Sequence, residues 1–233
     1  MLDSWRVLKK IVIAIDGPAA SGKSTTARLA AERLGYLHVD TGAMYRAMAL
    51  KVLQQGIDPT DQKAVEGIVD STGVTQREVG GQLRTFLDGV DVTEKIRRRE
   101  VATASSLVSA NRKVREAMVK EQRRLGKDGG IVLEGRDIGS VVFPNARLKI
   151  FLTASLDERA RRRRQELHEQ GLQVDLQSVR EEIADRDTKD ATRDASPLVK
   201  AWEAIEIDTS SLSIEEQVNL VVEMAKKIIE EEN

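Results

Sequence analysis

Residues 11–25 read IVIAIDGPAASGKST: an apolar run, a loop bounded by glycines, then a lysine and hydroxyl residues. The continuity of the apolar run is that of a strand buried on both faces, which belongs in a parallel sheet covered by helices. The G-x-x-x-x-G-K-S spacing that follows has a physical purpose when the ligand is a polyphosphate. Glycines let the backbone curl and bring its N–H groups against phosphate oxygens. A helix starting there adds unpaired N–H groups and the positive end of its dipole. Lys23 can then reach the β and γ phosphates while the Ser24 hydroxyl ligates Mg2+. Gly17, Pro18, Ala19, Ala20, Ser21, Gly22, Lys23, Ser24 and Thr25 are therefore read as the binding loop for a nucleoside triphosphate. What receives the phosphate is the remaining question.

The rest of the chain alternates strands and helices. A helical pattern over 24–35 stops at Gly35, a short strand follows at 36–40, and a second helix opens at Thr41 and closes at Gly56. Residues 58–61, DPTD, predict a turn and a helix cap. Between Gly73 and Thr93 the runs shorten and alternate, with Gly80-Gly81 and Asp88-Gly89 as turn signals, so a small antiparallel sheet is expected there. Helical periodicity covers 93–125 with a break near Asn111. Strands follow at 131–139 and 148–154, a charged helix runs over 155–171, and 172–198 reads as helix followed by polar loop. A strand, a turn and a long helix close the sequence. This alternation predicts an open, mostly parallel α/β sheet with ligands beyond the carboxyl ends of its strands.

Composition narrows the partners. Among 233 residues, 37 basic and 38 acidic side chains leave a net charge of -1, so nothing draws the chain in bulk to nucleic acid or to anionic membrane. Two Trp, two Tyr and three Phe are too few for a base-stacking platform. Without cysteine there is no disulfide, thiolate metal site or cysteine nucleophile. The opening MLDSWRVLKK lacks an apolar signal core, and no run is long enough to span a bilayer, which leads to the expectation of a cytoplasmic protein. His38 and His168, the only histidines, have no metal-ligand spacing, and there is no G-x-S-x-G elbow. His38, in an apolar strand, is read as a satisfied core residue. No exposed heptad seam demands a dimer, so a monomer is expected.

Phosphoryl transfer asks mainly for positioning and charge neutralisation, hence for Arg, Lys, Mg2+ ligands and helix N-termini. Such residues cluster in three segments: DTGAMYR carries Thr41 and Arg46, EGRD carries Glu134, Arg136 and Asp137, and RDTKDATR carries Arg186, Asp190 and Arg193. An arginine forks onto two phosphate oxygens at once, so Arg46, Arg136 and Arg193 together could clamp a monophosphate facing the triphosphate. Each also has a structural reading, as a solvated helix residue or, for Arg136 beside Asp137, as half of an ion pair. The run 161–164 is either a solvated face, a nucleic-acid patch or part of a lid that closes over the transferring phosphate. Asp16 is a strand-end cap or an outer-shell partner of Mg2+, the structural role being preferred.

The segments IDGPAASGKST, D-TGAMYR, EGRDIGSVVFP, KIFLTAS-ERA-RR and RD-KD-TR-ASPL, in this order, resemble the bacterial cytidylate kinases over roughly residues 11–227. The resemblance implies a P-loop α/β/α fold as one domain spanning 1–233, with a monophosphate-binding insertion near 62–112 and a helical lid near 157–172. It implies transfer of the γ-phosphate of MgATP to CMP or dCMP, on small-molecule substrates with neither nucleic acid nor membrane as partner. Carried over by position, Arg46, Arg136 and Arg193 would grip the α-phosphate of CMP. Thr41, Arg186 and Asp190 would address the sugar, and Ser106, Arg115 and Asp137 the cytosine edge. Lys23, Arg136 and the lid arginines Arg162 and Arg163 would be catalytic. Ser24 would ligate Mg2+, with Glu134 in its outer shell. Two positions depart from the family pattern: Thr41 stands where some relatives carry Ser, and Glu134 where Asp is frequent. The alternatives are another kinase of this fold, of adenylate or shikimate type, and a nucleic-acid-handling ATPase.

Overall fold

The computed structural model describes residues 10–169 and 171–231. Strand β1 (Val12–Asp16) lies at the centre of a sheet that has five strands among the described residues. It is flanked by β6 (Ile131–Gly135) and β7 (Leu148–Thr153), with β2 (Leu37–Asp40) outside β6 and β8 (Ile205–Asp208) outside β7. Every pairing is parallel. The chain leaves β1 toward one side of the sheet and later returns to its other side. The crevice at this switch point, beyond the carboxyl ends of β1 and β6, is where such sheets hold ligands.

Helices cover both faces, as the unbroken apolar strands require. On one face, Ile13, Ile15, Val132, Leu148 and Ile150 pack against α1 (Lys23–Leu34) and α8 (Ile214–Glu231). On the other, Ala14, Ile131 and Leu133 meet the apolar side of α2 (Thr41–Gln54), with α4 (Arg99–Val108) and α5 (Arg112–Leu125) beyond it. The predicted signals act at the ends of these helices. Gly35, at φ 65°, stops α1, and α2 starts at Thr41 as expected, with Asp40 in a cap role the sequence reading did not assign: its carboxylate accepts from Ala43 N at 2.8 Å. Asp61 caps α3 (Gln62–Val69) through Ala64 N, and Asn111 caps α5 through Val114 N, so the predicted break falls where it was expected. Ahead of that break the helix is shorter than the periodicity suggested: residues 95–97 form only a 3-10 turn before α4 begins.

The expected antiparallel sheet is present as β3 (Val74–Val79), β4 (Gln82–Leu87) and β5 (Val90–Asp91). Both of its turns need positive φ at their two central residues, which Gly80 (60°), Gly81 (74°), Asp88 (50°) and Gly89 (81°) supply. The charged helix is α6 (Leu156–Glu169). It packs through Ala160 on Val179 and Ile183 of α7 (Leu176–Thr192). Gln170, within the predicted HEQG end, and the opening residues 1–9 lie outside the described residues. Arg186 and Asp190 project from the last turns of α7, and Arg193 follows directly where the expected polar loop begins. No helix among the described residues is long and apolar enough to cross a membrane.

Candidate active site

The loop leaving β1 is tightly built. Gly17 has φ 146° and approaches the backbone of Leu152 so closely that a Cβ would lie 2.1 Å from its carbonyl oxygen. Ala20, at φ 58°, holds a left-handed conformation that costs a non-glycine residue energy and is found mostly at functional loops. Gly22, at φ 92°, turns the chain into α1, whose first residue is Lys23. The Lys23 ammonium is folded back into the loop, donating to the Pro18 carbonyl and, at 3.3 Å, to the Ser21 hydroxyl. Burial first, then the neighbouring Arg136, push it well below the ordinary lysine value, against the pull of Glu134.

Other elements brace the loop from below. Gln217 of α8, fully buried, accepts from Thr26 Oγ1 at 2.9 Å and sits against Gly22. Thr209, just past β8, donates to Ser21 O and accepts from Arg162 of α6 at 3.0 Å; Arg162 also donates to Thr209 O and pairs with Glu158. Arg159 donates to Ala19 O at 3.3 Å and pairs with Asp187 of α7 at 2.6 Å. Helix α6, which carries the arginine run, and α7 beside it are thereby tied to the phosphate loop.

Strand β6 brings Glu134 beside the loop. The Ser24 hydroxyl donates to Glu134 Oε2 at 2.6 Å, His38 Nε2 lies 3.3 Å from Oε1, and Thr41 Oγ1 donates to the Glu134 carbonyl at 2.7 Å. His38 is thus satisfied, as expected, but by a carboxylate of the site rather than by core backbone. Asp16 accepts from Ile138 N and Gly139 N, both at 2.8 Å, and so anchors residues 138–142. These form a π-helical turn, with Val142 N donating to Asp137 O and Phe143 N to Ile138 O, a feature common at functional sites. The bonds from Ile138 N and Gly139 N support the structural role of Asp16. Its burial raises the carboxyl pKa to about 6, opposed by those two backbone donors.

The arginines gather at the same end of the sheet. Arg136 Nε donates to Asp190 Oδ2 at 2.8 Å, and Arg193 NH1 lies 3.8 Å from Asp190 Oδ1, so one carboxylate holds two guanidinium groups. Arg46 is held by Asp40 at 2.9 Å. No carboxylate among the described residues pairs with Arg186. It is open to solvent on one side, yet crowding by protein, then Arg136, Arg46 and Arg163, push its pKa down to about 10, against Asp190. A guanidinium so placed among other cations gains when an anion enters. Burial of Arg193 likewise lowers its pKa, and one of its terminal nitrogens is buried without a partner among the described residues.

Behind these lies a drier compartment. Asp137 and Arg115, 5% and 4% exposed at their side chains, form a buried ion pair, and the Arg115 guanidinium stacks 5.2 Å from the centre of the Tyr45 ring. The sequence reading of Arg136 with Asp137 as an ion pair is therefore corrected: Asp137 goes to Arg115 and Arg136 to Asp190. Among the described residues, Tyr45 Oη, Arg115 Nε and Gln122 Nε2 are buried without a hydrogen-bond partner, and burial raises the Tyr45 phenol to about 12. Unsatisfied polar atoms clustered in a recess are what a polar ligand would satisfy.

Of the residues singled out from sequence, Gly17 to Thr25, Thr41, Arg46, Arg115, Glu134, Arg136, Asp137, Arg186, Asp190 and Arg193 line one continuous region. Arg163 pairs with Glu166 at 2.9 Å and faces the region only through its repulsion of Arg186. Ser106 lies on α4, half-buried, with no hydrogen bond from its side chain to Arg115 or Asp137. Arg159, Thr209 and Gln217 were not anticipated, because isolated polar residues on helices and in a loop carry no motif; only the Arg159 position within ERA-RR offered a hint.

Comparison with known proteins agrees with this geometry. The family model described as cytidylate kinase matches residues 13–227. A cytidylate kinase from Caldicellulosiruptor bescii is 52% identical over 225 residues, covering 97% of this chain and 100% of that protein. Those of Bacillus pumilus and Bacillus subtilis are 48% and 47% identical, each covering 94% of this chain and 98% of its own length. A match over nearly the full length, on a parallel sheet whose phosphate loop faces an arginine cluster, places this chain in the cytidylate kinase family.

Proposed function

We propose that this protein transfers the γ-phosphate of ATP to CMP or dCMP, giving ADP and CDP or dCDP. The observation that carries the reading is a juxtaposition: the loop holding Lys23 and Ser24 faces Asp190 with its two arginines, and the buried Arg115–Asp137 pair lies just behind. A monophosphate would be gripped by Arg46, Arg136 and Arg193. Asp190 and Arg186 would address the sugar. The donor capacity of Thr41 is already used on Glu134 O, which leaves only its acceptor side for a ribose hydroxyl. With Ser106 and Arg115, Asp137 would read the base: cytosine offers an N4–H2 donor that a carboxylate accepts, whereas a carbonyl at that position meets a carboxylate unfavourably.

The acceptor phosphate oxygen is already anionic, so attack on the γ-phosphate needs no general base. Lys23, Arg162 and Arg163 would offset charge on the transferring group. Arg162 reaches it by exchanging its bonds to Thr209 and Glu158 for phosphate oxygens, the motion of a lid residue. A hydroxyl and a buried carboxylate in contact at 2.6 Å, Ser24 and Glu134, are hard oxygen donors of the kind Mg2+ takes in small number alongside nucleotide phosphates. Held there with ATP, Mg2+ would supply neutralisation of phosphate charge. The protein is read as a single cytoplasmic, monomeric domain in which 62–112 serves the acceptor and 157–172 the lid.

A coupled assay with ATP and a panel of CMP, dCMP, UMP, AMP and shikimate tests the reading. CDP and dCDP are the products expected. Preferential use of AMP or shikimate would move the protein to another kinase class, and ATP hydrolysis stimulated by RNA or DNA without a phosphorylated acceptor would mark a nucleic-acid-handling ATPase.

A further inference from the structure

We infer that His38 is a positioning residue for the phosphate-loop end of the site, holding Glu134 so that its second oxygen stays on Ser24. The inference rests on the MgATP reading above. Register places the parts: β2 pairs with β6 so that His38 lies opposite Val132 and Asp40 opposite Glu134. Alternation therefore puts the His38 and Glu134 side chains on one face of the sheet, the face that carries α1 and Ser24. Contacts follow in a line, His38 Nε2 to Glu134 Oε1 at 3.3 Å and Ser24 Oγ to Glu134 Oε2 at 2.6 Å. A carboxylate only accepts, so Nε2 is the protonated ring nitrogen.

Two features make this bond more than satisfaction of a core histidine. A glutamate side chain has one more torsion than an aspartate, so its carboxylate needs a second anchor to hold one orientation. Glu134 is also drawn toward Lys23, whose ammonium its charge stabilises. Were the carboxylate to swing onto Lys23, it would neutralise the loop's own cation and leave the Ser24 hydroxyl without its acceptor. His38 opposes that swing by holding Oε1. Partners one layer out from a metal ligand set its orientation and commonly change metal affinity by tenfold or more.

The test is equilibrium titration of ATP, with EDTA and with Mg2+, into wild type, His38→Leu and His38→Gln, alongside titration of CMP. Wild type should bind ATP more tightly with Mg2+. His38→Leu should lose about tenfold of that gain, the low end of the range for such partners, with ATP affinity in EDTA and CMP affinity unchanged. His38→Gln, which keeps a donor, should recover most of the loss. An unchanged Mg2+ gain in His38→Leu, or equal losses for CMP and for ATP in EDTA, would overturn the assignment. A second readout uses metal-free, nucleotide-free protein: the ring nitrogens of His38, followed by 15N NMR, should shift in Glu134→Gln, and unmoved resonances would sink the contact itself even if His38→Leu does not fold. Should wild type show no ATP binding, the functional reading falls, whereas a normal wild-type gain that His38→Leu leaves intact refutes only this inference.

Discussion

Removing Asp137 tests both halves of the argument, because the same carboxylate stabilises the fold and is assigned to the base. In the Asp137→Ala variant, Arg115 stays buried at 4% exposure with its Nε already lacking a partner. Its remaining hydrogen bond is from NH1 to Ser109 O at 3.2 Å. Stacking on Tyr45, worth about 2 kcal/mol or more where desolvated, is already present in wild type, so it offsets nothing new. Breaking one side of a buried pair costs about 3–5 kcal/mol. For a chain of this size each kcal/mol moves the melting temperature by about 2–4 °C, so a fall of about 6–20 °C is expected. Deleting both charges, in Arg115→Met with Asp137→Leu, should recover much of it, since the penalty comes from the stranded charge rather than from the lost attraction. Calorimetry measures the stability, and titration below the transition compares CMP with ATP affinity; CMP should weaken and ATP should not. A melting temperature lowered by less than about 3 °C, or a double variant no more stable than the single one, would refute the buried-pair argument. Equal losses for the two nucleotides would remove Asp137 from the base site.

Lys23→Ala should fold at least as well as wild type, since a buried ammonium held below its usual pKa is relieved, while turnover drops by about two to three orders of magnitude; near-normal turnover in the folded variant would dismiss the residue from catalysis. Gly17→Ala places a Cβ 2.1 Å from the Leu152 carbonyl at a φ of 146°, so poor folding or loss of ATP binding is expected, and a variant that titrates ATP like wild type would contradict the close approach. Asp16 gives a pH prediction. Its folded carboxyl holds the proton up to about pH 6 and its unfolded carboxyl releases it near 3.8, so the folded state binds more protons between those values. Its contribution to stability is therefore greatest below that window and declines by about 3 kcal/mol as pH rises through 6. Urea unfolding of wild type against Asp16→Asn at pH 4.5 and 7 should show the difference moving against wild type at the higher pH, and a constant difference would count against the raised value.

The local elements were legible because each is set by neighbours in the chain. The buried strand at 12–16, the glycine loop, the stop at Gly35, the helix start at Thr41, the cap at Asp61, the break at Asn111 and the two glycine turns of β3–β5 all follow from backbone rules acting over a few residues. Chemistry was legible too, since a phosphate loop and segments rich in arginine state what kind of ligand they suit, and motif order carried the family. Pairing was not. Asp137 could have met Arg136 beside it, yet the fold delivers Arg115 from 22 residues away and gives Arg136 to Asp190. Asp190 gathers Arg136 and Arg193 only because the last turn of α7 comes to lie beside Arg136, just past β6. Which oxygen His38, Thr209 or Gln217 would meet depended on strand register and helix packing. Those are fixed by burial of apolar faces across the whole molecule, a balance that no short stretch of residues contains.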